Sequence, residues 1–297
     1  MSLPIPKPML FKRLFSSCFI KGLILGILAA GMMVSGCSIK SDMMASLSHT
    51  IVNNNDLSMV QAGAPAYLLM IDSLILQEPD SKKMLSTAAQ LYTAYADLFV
   101  TDPQQSRKLA DKALAYADKA MCLSNKRACG LKTRPYDEFK ALIAAMDRRD
   151  LPQLFDLGSA WAGWIMAHQE DFNALADISR IETIMLKVTS LEETYKDGAA
   201  FLYLGTLATL LPPALGGQPD QGRAYFEKAI ELAEGKNLMA KVMFAQRYAK
   251  MMFDRELHDR LLTQVIDSDP VIPGYTLINT YAQKQARQLL DEADSYF

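Results

Sequence analysis

The sequence predicts an all-α protein of stacked antiparallel helix pairs, and three observations carry that prediction. Half of the 297 residues are apolar, methionine and alanine abound, and runs of β-branched residues are missing, a composition that favours helix over strand. Apolar residues recur three and four apart along most of the chain beyond residue 43, the period of a helix with one buried face. The stretch 198–234, GAAFLYLGTLATLLPPALGGQPDQGRAYFEKAIELAE, reads as two such helices around a loop holding Pro212, Pro213, Gly216, Gly217 and Pro219.

That pair organises the chain. Phe201, Leu204, Gly205 and Ala208 stand at the W-x2-LG-x2-Y spacing that opens a tetratricopeptide repeat. Gly222, Phe226 and Ala229 follow the A-x3-F-x2-A spacing that closes one. Small residues at 205, 222 and 229 let two helices approach closely, and Phe201 and Phe226 fill the space between them. One pair cannot bury its apolar face alone, so neighbouring pairs must stack beside it. The loop of about eleven residues exceeds what a helix hairpin requires, and such loops are either functional or filler. Gly216 and Gly217 permit backbone angles closed to other residues while the prolines stiffen the flanks. The loop is therefore expected to border a partner- or ligand-binding cleft. Arg223 and Tyr225 would reach outward just beyond it; alternatively, Arg223 simply pairs with Glu227 one turn on.

The N-terminus reads as an address. Lys7, Lys12, Arg13 and Lys21 precede an apolar run from Gly22 to Val34, which is too short to span a bilayer and suits a signal h-region. Val34-Ser35-Gly36-Cys37 looks like a bacterial lipobox, which makes residues 1–36 a lipoprotein signal peptide and Cys37 the lipidated mature N-terminus. A multiply acylated cysteine holds a membrane more firmly than a single chain does. Ser38 in place of aspartate points, by the enterobacterial sorting convention, to the outer membrane. Residues 37–297 are expected to form a single helical domain.

Beyond Cys37, Met43, Met44, Leu47 and Ile51 mark a first helix, ended by Asn53-Asn54-Asn55-Asp56. Tyr67, Ile71 and Leu74 fit a closing helix, and Leu85, Ala88, Ala89 and Tyr92 an opening one. Ala113, Ala117 and Ala120 fit the next closing helix after the break at Asp102-Pro103. Residues 124–135, SNKRACGLKTRP, form a basic connector. Helices are then expected over Pro135–Met146, Leu151–Gln169, Asp171–Glu193, Ala240–Met252 and Asp254–Ile266, with a capping helix from Pro273 to Asp294. The count is about eleven, in a chain that shows the 3.6-residue period and no strand alternation. Trp161 and Trp164 share a face and read as core. Cys122 and Cys129 stand at a helix end where the chain can turn back. In an oxidising envelope they either bridge or remain two small, partly buried thiols.

Much chemistry is missing. The net charge of −2 gives no case for nucleic-acid binding. His49, His168 and His258 lack metal spacing, and no HExxH, CxxC, GxSxG, Walker or GxGxxG sequence occurs. The reading is a non-enzymatic binding protein with neither metal nor cofactor.

Several stretches resemble one family, the TRAP-transporter-associated T-component (TatT) lipoproteins. They are APAYLLMIDSLILQEPD at 64–80, LSTAAQLYTAYADLFV at 85–100, LPPALGGQPDQGRAYFEKAIELAEGKNLMAKVMFAQRYAK at 211–250 and DRELHDRLLTQVIDSDP at 254–270. The resemblance implies a tetratricopeptide-like bundle with a cleft or pore through each subunit, assembled as a trimer. It implies an accessory lipoprotein that engages the periplasmic substrate-binding protein of a tripartite ATP-independent transporter, with a small hydrophobic or organic-acid ligand. The rival reading is a repeat lipoprotein that scaffolds outer-membrane or cell-envelope assembly.

Overall fold

In the computed structural model, which describes Met44 and residues 46–297, every regular element among the described residues is helical. The expected signal peptide and the lipidation site Cys37 lie outside the described residues. Val52–Phe297 form one compact unit, and the helical residues 46–51 belong to a separate one.

Two of the first three helices of the larger unit begin at an aspartate cap. Asp56 accepts a hydrogen bond from the Met59 amide at the start of α1 (Leu57–Gln77), and α1 continues through Pro65. After α2 (Lys82–Phe99), Asp102 accepts from the Gln105 amide and Pro103 occupies the first turn of α3 (Pro103–Ser124), where no amide donor is needed. One carboxylate ties the three together. Asp72 of α1 accepts from the Tyr92 hydroxyl of α2 at 2.7 Å, and from the Tyr116 hydroxyl, also at 2.7 Å, and Lys112 ammonium of α3. Burial pushes the Asp72 pKa up, but these donors outweigh it and hold the group below its ordinary value.

The disulfide-bonded connector leads to α4 (Tyr136–Ala144) and the long α5 (Leu151–Ala167). The single helix expected over 171–193 is divided at Asp177 into α6 (Phe172–Ala176) and α7 (Ile178–Leu191). The break has a tertiary cause: Asp177 accepts from the Trp161 indole of α5 and pairs with Arg180, fixing the junction. The tryptophans part company. Trp161 is fully buried edge-on against Phe139, whereas Trp164 is half-buried, donates to Asp111 and lies under the Lys132 ammonium.

The organising pair forms as α8 (Ala199–Ala208) and α9 (Pro219–Leu232). A Cβ on Gly205 would sit 2.9 Å from the Phe226 ring, and one on Gly222 would sit 2.5 Å from a Thr209 methyl and 3.3 Å from the Gly205 carbonyl oxygen. The two helices are as close as their backbones allow. Phe226, fully buried, stacks on Phe244 at 5.4 Å and joins a cluster with Val242, Leu262, Val265, Ala282 and Ala286.

Helix α10 (Leu238–Met243) runs unbroken into a π-helical turn, Phe244–Ala249. Helices α11 (Arg255–Asp267), α12 (Thr276–Asp291) and α13 (Ala293–Tyr296) complete the unit. Pro273 does not open the terminal helix; it precedes Gly274 in the turn, and α12 starts at Thr276. Fully buried Asn279 of α12 accepts from the Leu238 amide and donates to the Lys236 carbonyl, which fixes the start of α10. Most consecutive helices pack on one another; α4 packs on α7 instead, α5 also packs against α3, α7 and α2, and α10 against α12. The larger unit is thus all-α, with thirteen α-helices.

Candidate functional site

Seven helices, α2, α3, α5, α7, α8, α10 and α12, and the π turn line a half-open cavity of about 660 Å³, within the range of small-molecule sites. Its walls are mostly apolar: Ile165 and Met166 of α5, Leu202 and Leu207 of α8, Met239 and Met243 of α10, and Ile278 of α12. Against them stand a few polar groups: Asp97 of α2, Tyr203 and Thr206 of α8, Gln246 and Arg247 of the π turn, and Tyr281 and Gln285 of α12.

The π turn carries two long polar side chains to this space. Phe244, Ala245, Tyr248 and Ala249 are all buried in the core. Gln246 and Arg247, between those two buried pairs, line the cavity. Such turns are often found at functional positions.

Asp97 lines the cavity with its side chain exposed, and it has no hydrogen-bond or ion-pair partner among the described residues. Desolvation raises its pKa to about 6. Arg247 is half-buried in the cavity wall; its Nε is buried without an acceptor, and desolvation lowers its pKa. Tyr203 and Tyr281 are both raised, first by desolvation and also by the Asp97 charge, and Tyr281 accepts from Gln285 at 3.0 Å. The cavity thus holds an acid and a base that are not paired with each other.

The raised Asp97 pKa gives a pH signature. Because the folded state binds this proton more tightly than the unfolded chain, Asp97 favours folding at acid pH and loses that contribution as pH rises through about 6. Asp97→Asn should therefore raise the melting temperature at about pH 7.5, with the gap closing by about pH 4. A gap of equal size at both pH values would show that Asp97 is not held in this state.

The residues singled out in the sequence fall elsewhere. Of the loop, only its entrance contributes: Leu210 lines the cavity, whereas Pro212, Pro213, Gly216, Gly217, Arg223 and Tyr225 do not. The loop is nonetheless tightly built. Gly216 has φ 95°, the Gly217 amide donates to the Pro212 carbonyl at 3.1 Å, and the Gln218 amide donates to the Ala208 carbonyl at 2.8 Å. A Cβ on Gly217 would lie 1.7 Å from the Leu211 carbonyl oxygen. Arg223 pairs with exposed Glu227 at 2.8 Å, and the Tyr225 hydroxyl accepts from Gln221 at 2.8 Å. Cys122 and Cys129 are joined, with S–S 2.03 Å and Cα atoms 4.4 Å apart. Among the described residues no group of three or more His, Cys, Asp or Glu is placed to hold a metal.

Sequence reasoning missed Asp97 and Arg247. The signal was there: each is a lone charge within an apolar helical run, AYADLFV and VMFAQRYA.

Known proteins bear on what a helical stack with such a cavity does. An uncharacterized protein of Treponema pallidum (strain Nichols) is 22% identical, over 91% of this chain and 95% of its own length. Residues 53–297 match the TRAP transporter T-component family. That match takes in every helix from α1 to α13 and all the cavity walls, so the chain belongs to the TRAP transporter T-component family, which associates it with TRAP-type transport.

Proposed function

We propose that this protein is a non-enzymatic accessory lipoprotein that holds the periplasmic substrate-binding protein of a TRAP transporter near the membrane and receives a small ligand in its central cavity. The observation that carries this reading is the cavity itself, a largely apolar chamber with a few convergent polar groups, in a member of a transporter-component family. In this reading Cys37 supplies the lipid anchor, the outer membrane is the membrane it enters from the periplasmic side, and copies of the chain assemble as a trimer. The 211–223 loop, restrained by its own hydrogen bonds, presents a surface to the partner at low entropic cost.

Capture of the binding protein encoded with the transporter tests it. The wild type should retain that protein on an affinity column, and deletion of Ala214–Gly216 should weaken retention at least tenfold while helical content is kept. Full retention by the folded deletion variant would remove the loop from the interface. Failure of the wild type to retain any such protein, with recovery of envelope-assembly proteins instead, would favour the scaffold.

A further inference from the structure

We infer that the outer face of α1 is the surface on which a second copy of this chain docks, helix against helix and in parallel. The inference rests on the assembly of copies proposed above and names the surface that makes it.

Helix α1 carries two apolar faces. One is the buried stripe Val60, Tyr67, Leu68, Ile71 and Ile75, on a helix that packs against α2 and α12. The other is Met59, Ala62, Ala66, Leu69, Ser73 and Leu76. All six are exposed, Met59 by 62%, Leu69 by 70% and Leu76 by 84%. Their spacing is three, four, three, four, three, an unbroken heptad register along a helix about 31 Å long. Single exposed apolar residues are ordinary on a folded protein. A whole heptad register of them, broken only by the small Ser73 and by no charge, is not.

The register selects the occupant. A strict two-in-seven stripe is the seam of paired helices, whereas a helix lying in a bilayer surface shows a broader apolar face with basic residues on its polar side. No Lys or Arg stands in α1, and its single charge, Asp72, is engaged by Tyr92, Tyr116 and Lys112 of its own unit. The positions that flank such a seam usually carry the charges that choose a different partner or repel a like one. Besides Asp72, Ser58, Gly63, Pro65, Met70 and Gln77 occupy them here, so identical copies meet without like charges facing. A Cβ on Gly63 would meet nothing within 4 Å, which leaves that flank open to a neighbouring helix. The parallel sense follows from the anchor, because copies held in one membrane through Cys37 enter α1 in the same direction. A closed ring of three that meets at one helix then brings α1 of each copy to its axis.

Disulfide trapping of the full chain in its membrane, with sedimentation of the detergent-solubilised protein, tests this. Ala66→Cys lies in the seam and under mild oxidation should link pairs of chains beyond the wild-type level. Gln61→Cys, exposed on the same helix but off the seam, should not. The wild type should sediment as three chains. Leu69→Gln with Leu76→Gln should sediment as one, a threefold loss of mass with helical content unchanged, since both side chains lie outside the core. Equal linking by the two cysteine variants, or none by Ala66→Cys, would overturn the inference, and this comparison involves no change to a buried residue. A double variant that stays assembled would overturn the seam and leave the trimer standing. A wild type that sediments as one chain, with a fluorophore on the Ala66→Cys thiol quenched from within the lipid, would overturn seam and trimer together in favour of the bilayer. Capture of the binding protein by the same variants reports on the accessory role separately.

Discussion

Phe226→Ala should lower stability by about 3–5 kcal/mol, the range for emptying a buried aromatic site, and the melting temperature by roughly 10 °C for a unit of this size. Phe226 is fully buried, stacks on Phe244, and fills the space left by the missing side chain of Gly205. Truncating it opens a void between backbones that α8 and α9 already hold close, where the walls have little freedom to collapse. The contact also predicts a sign reversal. In the wild type Gly205→Ala should destabilise, because the new Cβ would stand 2.9 Å from the Phe226 ring. In the Phe226→Ala background the same change should stabilise, since it puts a methyl into the void and removes a flexible glycine from a helix. Thermal or denaturant unfolding of the four proteins of this cycle measures it. Additive effects would mean that the two helices are not in contact as described.

Reduction of the Cys122–Cys129 bridge should lower stability by about 2–3 kcal/mol, the loop-closure value for so short a ring. The bridge staples the end of α3 to the basic connector. There Arg134 donates to the carbonyls of Arg127 and Cys129, Leu131 is fully buried, and the Lys132 ammonium lies 3.5 Å from the centre of the Trp164 ring. Released, the connector should lose that register, so tryptophan emission should change in native conditions as the melting temperature falls. Cys122→Ser with Cys129→Ser should behave as the reduced wild type does and be insensitive to added thiol. Equal stability of the oxidised and reduced proteins would show the connector to be held by its packing alone.

The fold was legible because its information is local. Asp102-Pro103 announces a cap and a first turn, and the 205, 222 and 226 spacing announces a close helix pair; both stand as the sequence implies. The breaks that escaped notice depend on partners distant in sequence. Asp177 interrupts a continuous apolar stripe because it accepts from Trp161, sixteen residues away. Pro273 fits a first turn equally well, yet the turn around Gly274, whose amide donates to Asn53, keeps it outside the helix. The cavity is harder still. Asp97 and Arg247 meet one chamber only after α2, α5, α8 and α12 close around it. The place of Arg247 in the cavity wall becomes visible only once the core that buries Phe244, Ala245, Tyr248 and Ala249 is assembled. The 211–223 loop drew attention because glycine and proline are conspicuous in a helical sequence, and they satisfy the geometry of the loop itself: Gly217 has no room for a Cβ.

The central claim is that this helical stack works as the accessory partner of a TRAP binding protein. Calorimetric titration of the purified chain with the purified substrate-binding protein encoded beside it tests that most directly. The account predicts saturable binding of one binding protein per chain, with burial of apolar surface giving a negative heat-capacity change. The absence of any saturable heat, at concentrations up to about 1 mM, would contradict it.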